Sequence, residues 1–341
     1  MRWAFLAAIT LFPTRPVLSI VATSLPDTLG GSGVPEVVVM RFGGDCLLAE
    51  HYERAAMENP GLAFDGFELL STADIGMVNL ECPVTTRGIA VEKPFTFRMQ
   101  PAFLPALKQA GIDIVNIANN HIYDYGAIGL FDTIEHLDSA GIAHVGAGRT
   151  HDEAHQPIVI ERAAYRIGFL GYYGGGEAPA ATADSPGVAR RDVELIQRDI
   201  RALKEHDSAN FIVVNLHWGT EKADTPDTWQ TKVGRAIIDA GADAVIGHHP
   251  HVLQGIERYK HGVIAYSLGN FIFGGNSRHT YNTGIFEIKL GAEPTYTFIP
   301  VRVENWRATV PADSVAAGIR MHVAALSRIF RQSIFTTQEN E

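Results

Sequence analysis

The chain has 341 residues, 46% of them hydrophobic and 19% charged, a composition that excludes a disordered or fibrous protein and is enough to bury one large core or two smaller ones. Its formal net charge of -10 excludes a broad electrostatic attraction to nucleic acid or to an anionic membrane surface, so an anionic ligand has to be held by local arginine, lysine or metal charge. Two cysteines, Cys46 and Cys82, are too few for a disulfide framework or a cysteine-rich zinc module.

The N-terminus reads Met1-Arg2, an apolar run over residues 3–12, a break at Pro13 to Pro16, and a second apolar stretch over 17–22 that ends in Ala22-Thr23-Ser24. This is the order of a secretory signal, and neither apolar part reaches the roughly 20 residues that span a bilayer. Residues 1–24 are expected to be a signal peptide or a retained N-terminal anchor, which makes the protein exported, periplasmic or extracellular. Residues 25–35 form a Gly/Pro-rich linker. From residue 36, β-branched apolar runs at 37–42, 75–80, 114–118, 143–145, 157–160, 166–171, 211–216, 244–246 and 263–267 alternate with helical apolar spacing at 102–110, 129–140, 193–206 and 229–240. That alternation predicts an α/β domain with mostly parallel strands. Residues 284–290 and 295–303 read as consecutive, antiparallel strands. Residues 306–341 carry one more helical pattern, over 316–329, and a polar tail. The longest irregular stretch, 173–192, is rich in Gly, Ala and Pro.

Several of the apolar runs end directly in a metal-capable residue. Residues 37–42 lead into Gly43-Gly44-Asp45, 75–80 into Glu81, 114–118 into Asn119-Asn120-His121, 211–216 into His217, and 244–246 into Gly247-His248-His249-Pro250-His251. Taken singly these have ordinary readings: Asp45 as a turn residue, His217 beside Trp218 as a core histidine, the Asn pair as a turn or helix cap. Taken together, strand ends in an α/β sheet line one ligand-binding edge, and the pattern gathers Asp45, Glu81, Asn120, His217, His249 and His251 there. Two carboxylates, an amide and three imidazoles suit two divalent metal ions of the Mn, Fe or Zn type better than an all-oxygen Ca or Mg cage. A bridging carboxylate holds two such ions about 3.5–4 Å apart, close enough to activate water and to stabilise an in-line displacement.

The ordered motifs Gly44-Asp45-Cys46-Leu47-Leu48, Asn79-Leu80-Glu81, Lys93-Pro94-Phe95-Thr96-Phe97-Arg98, Ala118-Asn119-Asn120-His121 with Asp124-Tyr125-Gly126, His217-Trp218-Gly219-Thr220-Glu221, Gly247-His248-His249-Pro250-His251-Val252-Leu253-Gln254 and Tyr266-Ser267-Leu268-Gly269-Asn270-Phe271 resemble the CapA/PgsA poly-γ-glutamate capsule family over residues 36–305. That family is similar to the calcineurin-like metallophosphoesterases, which implies an α/β four-layer αββα sandwich with a dinuclear site. The resemblance makes Asp45 and His251 ligands of a first metal, Glu81 the bridge, and Asn120, His217 and His249 ligands of a second. It makes His121 the group that protonates the leaving group, with Asp124 orienting it. The sequence departs from the Asp-x-His start usual in metallophosphoesterases, because Asp45 is followed by Cys46 and Leu47.

Arg98 is the candidate for binding a substrate carboxylate or phosphate, since its planar fork gives bidentate contacts. Trp218, Glu221 and Gln254 are expected to line the pocket, and Ser267 and Asn270 either turn the chain or contact ligand. The implied function is a metal-dependent, hydrolase-type enzyme of the cell envelope whose partners are an anionic polymer such as poly-γ-glutamate, or a peptide, and a membrane synthase complex, with no nucleic acid. Two alternatives stand beside it: a non-catalytic factor that binds and transports the polymer, and a metal-dependent peptide epimerase. Cys46 and Cys82 each follow a proposed carboxylate ligand, so convergence of the two loops could bring their Cα atoms to the roughly 4.4–6.8 Å of a disulfide. Two buried free thiols are the alternative.

Overall fold

The computed structural model describes residues 37–205 and 208–335, so the expected signal or anchor and most of the polar tail lie outside the described residues. In chain order the strands are β1 (Val38–Leu47), β2 (Ile75–Leu80), β3 (Ile114–Asn116), β4 (Ala143–Val145), β5 (Ala147–Gly148), β6 (Ile158–Arg162), β7 (Tyr165–Tyr173) and β8 (Gly187–Val188). They continue as β9 (Phe211–His217), β10 (Ala244–His248), β11 (Ile256–Tyr259), β12 (Gly262–Ala265), β13 (Asn270–Phe273), β14 (Tyr281–Leu290), β15 (Thr295–Glu304) and β16 (Arg307–Thr309). The helices are α1 (His51–Ala55), α2 (Leu104–Gln109), α3 (Gly126–Ala140), α4 (His151–Ala154), α5 (Val193–Glu205), α6 (Thr228–Asp239) and α7 (Asp313–Leu326). Among the described residues no helix is long and apolar enough to cross a membrane.

Two large sheets form. The first runs β16-β15-β14-β1-β2-β3-β4, with β13 also paired to β1, and the second runs β11-β12-β10-β9-β7-β6. Strands β1 to β4 are mutually parallel, as are β7, β9, β10 and β12, while β14 and β15 pair antiparallel as expected. Alternation along each strand divides the apolar residues between two faces. Met40, Phe42, Ile75 and Met77 of the first sheet meet Phe169, Phe211, Val213 and Ile246 of the second in one inter-sheet core. The opposite faces carry helices: Val78 and Leu80 pack with Leu104, Leu107, Leu130 and Ile134 of α2 and α3, and Ile212, Val214 and Leu216 pack with Ile196, Ile200 and Ile237 of α5 and α6. The result is a four-layer αββα sandwich.

The chain beyond residue 305 is built into this sandwich. Strand β16 extends the first sheet, α7 contributes Ile319 and Val323 to the inter-sheet core, and the Phe330 ring stacks on Tyr266 with centroids 4.9 Å apart. The irregular stretch 173–192 is pinned by the β5–β8 ladder and by a bridge between Tyr173 and Arg190.

Strand β1 is longer than its apolar pattern indicates, passing through Gly43-Gly44-Asp45 to Leu47. Gly44 permits this: a Cβ there would stand 1.9 Å from the Gly269 carbonyl oxygen, and the close approach lets the Asp45 N–H donate to that oxygen at 2.8 Å. Cys46 and Cys82 are free thiols, both fully buried in the core beneath α2 and α3. Burial pushes both thiols up, so neither is a ready nucleophile. A thiol reagent is expected to find two thiols per chain in denatured, unreduced protein and almost none before unfolding; absence of reactive thiols in the denatured monomer would show a bridge instead.

Candidate metal site

The parallel registers set the site. Asp45 lies opposite Asn79 across β1 and β2, and His217 lies opposite His248 across β9 and β10, so the ends of both sheets open on one edge. Glu81 follows β2, Asn120 follows β3, and His249 and His251 follow β10 in a loop where both have positive φ, 98° and 57°. Non-glycine residues seldom adopt that region, and strain of this kind is held where surrounding structure demands a particular side-chain direction. Gly247 lets the loop start, since a Cβ there would meet the Tyr266 carbonyl oxygen at 1.9 Å.

Among the described residues three groups of candidate ligands emerge, Asp45–Glu81–His251, Glu81–His217–His249 and Glu221–His249–His251, in each of which the ligand atoms lie within 4.8 Å of one another. Glu81 belongs to the first two, which hold the buried carboxylates. Its Oε1 stands 3.6 Å from His217 Nε2 and 3.6 Å from His251 Nε2, while His251 Nδ1 stands 3.1 Å from Asp45 Oδ2. The Asn120 Oδ1 atom joins the second group at 2.8 Å from His217 Nε2. All six residues assigned to metals by the sequence therefore meet at one edge.

Asn79 organises the cluster: its Nδ2 donates to Asp45 Oδ1 at 2.9 Å, and its Oδ1 accepts from Asn116 at 2.8 Å and from Asn119 at 3.4 Å. Asp45, Glu81 and His217 are completely buried. Burial, and then the neighbouring Asp45 charge, hold the Glu81 carboxyl well above the usual carboxylate range. Burial also pushes Asp45 upward, but its hydrogen bond with His251 and the charge of that ring outweigh it and leave Asp45 below its ordinary value. His217 is held well below the usual imidazole range by burial and by the surrounding histidines, and burial takes His248 down to about 4. Glu81 Oε1 and His249 Nδ1 have no hydrogen-bond partner. Buried carboxylates and neutral imidazoles with unused lone pairs are the donor set that a divalent cation satisfies, so these residues fit a metal.

His121 stands beside this cluster on the Asn120 loop. Its Nδ1 is 2.8 Å from Asp124 Oδ2, and its ring packs on Phe97 with centroids 4.5 Å apart. Asp124, fully buried, also accepts the Phe97 N–H at 2.6 Å and pairs with Lys93, whose Nζ donates to the Asn120 carbonyl at 2.9 Å. Burial lowers the His121 pKa and Asp124 offsets part of that. With Nδ1 engaged, Nε2 is the ring atom free for proton exchange.

The remaining expectations divide. Glu221 is exposed beside the site, its carboxylate within 4.8 Å of ligand atoms of His249 and His251. Arg98 lays its guanidinium over the Tyr125 ring, 4.7 Å from the centroid. Trp218 does not line the site: it is 1% exposed in the core outside the second sheet, with Nε1 donating to the Tyr266 carbonyl at 3.0 Å. The reason is strand alternation, because His217 faces inward and the next residue must face out. Gln254 is likewise buried, and its Nε2 donates to the Ala223 carbonyl at 2.8 Å, tying the Glu221 loop to the histidine loop. Ser267 turns the chain, its Oγ donating to the Val252 carbonyl at 2.7 Å and accepting from the Gly269 N–H at 3.1 Å. Asn270 does reach the cluster, with Oδ1 2.8 Å from His251 Nδ1. Lys93, paired with Asp124, and His248, beside Asp45, are neighbours of the site to which the motifs assign no role. Alternation in step with His217 was the available signal for His248.

Fold and cluster together define a two-sheet α/β sandwich protein with a carboxylate–imidazole site at its strand ends. Residues 39–275 match the family model described as bacterial capsule synthesis protein PGA_cap, and the chain belongs to that family. It is 31% identical to the PGA biosynthesis protein CapA of Bacillus subtilis, over 80% of this chain and 73% of that protein. It is 37% identical to the capsule biosynthesis protein CapA of Bacillus anthracis, over 54% of this chain and 46% of that protein, so that match spans less than half the relative's length. The arrangement of sheets and helices resembles a putative 5'-nucleotidase from Staphylococcus aureus, with a TM-score of 0.49 and 15% identity over 85% of this chain and 58% of that one.

Proposed function

We propose that this protein is a metal-dependent, hydrolase-type enzyme of the cell envelope that acts on poly-γ-glutamate or a related anionic polymer during its synthesis, export or processing. The observation that carries the reading is Glu81, a fully buried carboxylate common to two groups of ligand atoms. Membership of the capsule synthesis family supports the polymer as substrate class, and the order of residues 1–24 supports an exported protein. In this reading Asp45 and His251 would hold one ion, Asn120, His217 and His249 would hold a second, and Glu81 would be shared between them. When bound, such a pair polarises the bond to be cleaved and activates water. His121 holds a proton at Nε2 for the leaving group, and Asp124, itself fixed by Lys93 and the Phe97 N–H, keeps the ring oriented.

Metal analysis joined to a substrate screen on the purified chain tests this. The expected result is about two divalent ions per chain, cleavage of a model phosphodiester or of polyglutamate, and loss of both activity and thermal stability on chelation. Metal-free protein that binds polyglutamate unchanged, without cleaving it, would replace the enzyme by a polymer-binding factor. Deuterium uptake with inversion at an α-carbon would replace hydrolysis by epimerisation.

A further inference from the structure

The irregular stretch 173–192 begins and ends beside the Glu81–His217–His249 group. Tyr173, where it begins, lies opposite His217 in register, and the two rings stand 5.6 Å apart. The chain returns to the same point with two adjacent arginines: Arg190 bridges to Tyr173, and the Arg191 N–H donates to the Tyr173 carbonyl at 3.0 Å. The backbone of both is thereby fixed at the strand-end edge.

Neither guanidinium has an anionic partner among the described residues. Arg190 Nη1 donates to the Gly175 carbonyl, and the Arg191 side chain makes no hydrogen bond at all. The neighbouring carboxylates are engaged elsewhere, Glu177 with the Tyr173 hydroxyl and Asp192 with the N–H groups of Glu194 and Leu195 at the start of α5. Arg191 is nevertheless held in place. Its guanidinium lies 4.1 Å over the ring of Trp229 in the first turn of α6, and a Cβ on Gly174 would stand 2.2 Å from its Cζ, so only glycine leaves that slot open. A guanidinium laid flat on an indole keeps its N–H edge free, and that edge matches the two oxygens of a carboxylate. Burial, and then the like charge of Arg190, hold Arg191 below the usual guanidinium range, a penalty that a bound anion relieves. In a chain of net charge -10, two such cations side by side are a local exception.

We propose that Arg190 and Arg191 form a carboxylate-binding subsite that holds an acidic side group of the polymer next to the ligand cluster, Arg191 through its bidentate fork. The inference rests on the anionic substrate of the reading above and not on the metals.

Trp229 is the reporter for the test. The full chain, kept metal-free with a chelator, is titrated with a short γ-linked glutamate oligomer and with its amidated, neutral counterpart, following tryptophan emission and, separately, the heat of binding. The acidic oligomer should change the emission saturably, the neutral one should not, and Trp229→Phe should abolish the signal. By calorimetry, Arg191→Gln and Arg190→Gln should each weaken binding by a factor of about ten or more, and Arg191→Lys, which keeps the charge but loses the fork, should fall between Arg191→Gln and the wild type. Binding by the wild-type chain that leaves Trp229 emission unchanged overturns the proposal with no arginine variant needed, and so do folded Arg190→Gln and Arg191→Gln proteins with wild-type affinity. A wild-type chain that binds no oligomer, with or without added metal, overturns the polymer reading and this inference together, whereas an oligomer bound with full affinity in the absence of both guanidiniums overturns this inference alone.

Discussion

In the proposed reading, Glu81→Gln protein is expected to bind neither of the two metal equivalents expected of the wild-type chain, while keeping its fold. Glu81 is shared by the Asp45–Glu81–His251 and Glu81–His217–His249 groups, and the amide removes the negative charge that lets two cations sit side by side. In wild-type protein, added metal should raise the unfolding free energy by about 2.7 kcal/mol for each occupied site at a hundredfold excess over Kd, and the variant should show none of that increment. The metal-free states should differ in the opposite sense. The Glu81 carboxyl is held above its ordinary value of 4.5 in the fold, so between the unfolded and folded pKa values the native state binds more protons. Stability of metal-free wild-type protein therefore falls as pH rises from about 4.5 toward the folded pKa, and the Glu81→Gln variant, with no proton to lose, should escape that fall. Metal analysis with urea unfolding at several pH values checks both halves. Full metal content in the variant would remove Glu81 as the bridge.

Much of this site is legible in the chain because parallel strands make it so. An apolar run of fixed period that stops at a polar residue marks the end of a buried strand, and in a sheet of parallel strands such ends fall on one edge, which is why Asp45, Glu81, Asn120 and His217 could be gathered without coordinates. Less legible is the direction of side chains within a motif. His217-Trp218 reads as a unit, yet alternation sends the histidine into the site and the indole into the outer core. Gly247-His248-His249-Pro250-His251 offers three histidines, of which His249 and His251, the two assigned from the motif, lie with Glu81 in ligand groups, and both have positive φ values that no periodicity announces. Short elements escape for another reason. Strands β13 and β16, of 4 and 3 residues, have no long apolar run marking them in the sequence and are defined by their pairing with β1 and β15. Asn79 sits within an apolar run, and its hub role becomes visible only once Asp45, Asn116 and Asn119 stand around it.

His121→Ala protein is expected to retain metal and fold but to lose turnover by a factor of about 10²–10⁴, the range for removing a general acid. The geometry separates this from a structural role. Asp124 keeps its contacts with Lys93 and the Phe97 N–H when His121 is truncated, so the Asn120 loop stays anchored and the second ligand group is left in place. Leaving-group dependence provides the decisive comparison. A nitrophenolate departs without a proton, so the variant should cleave a nitrophenyl phosphodiester with a small loss and an alkyl ester or amide with a large one, since only the latter needs the proton held at Nε2. Asp124→Asn should show the same dependence together with a fall in stability, because it leaves the mostly buried Lys93 ammonium without its carboxylate. Equal losses on both leaving groups would assign His121 to binding or orientation instead of proton transfer, and full activity on both would take it out of the chemistry altogether.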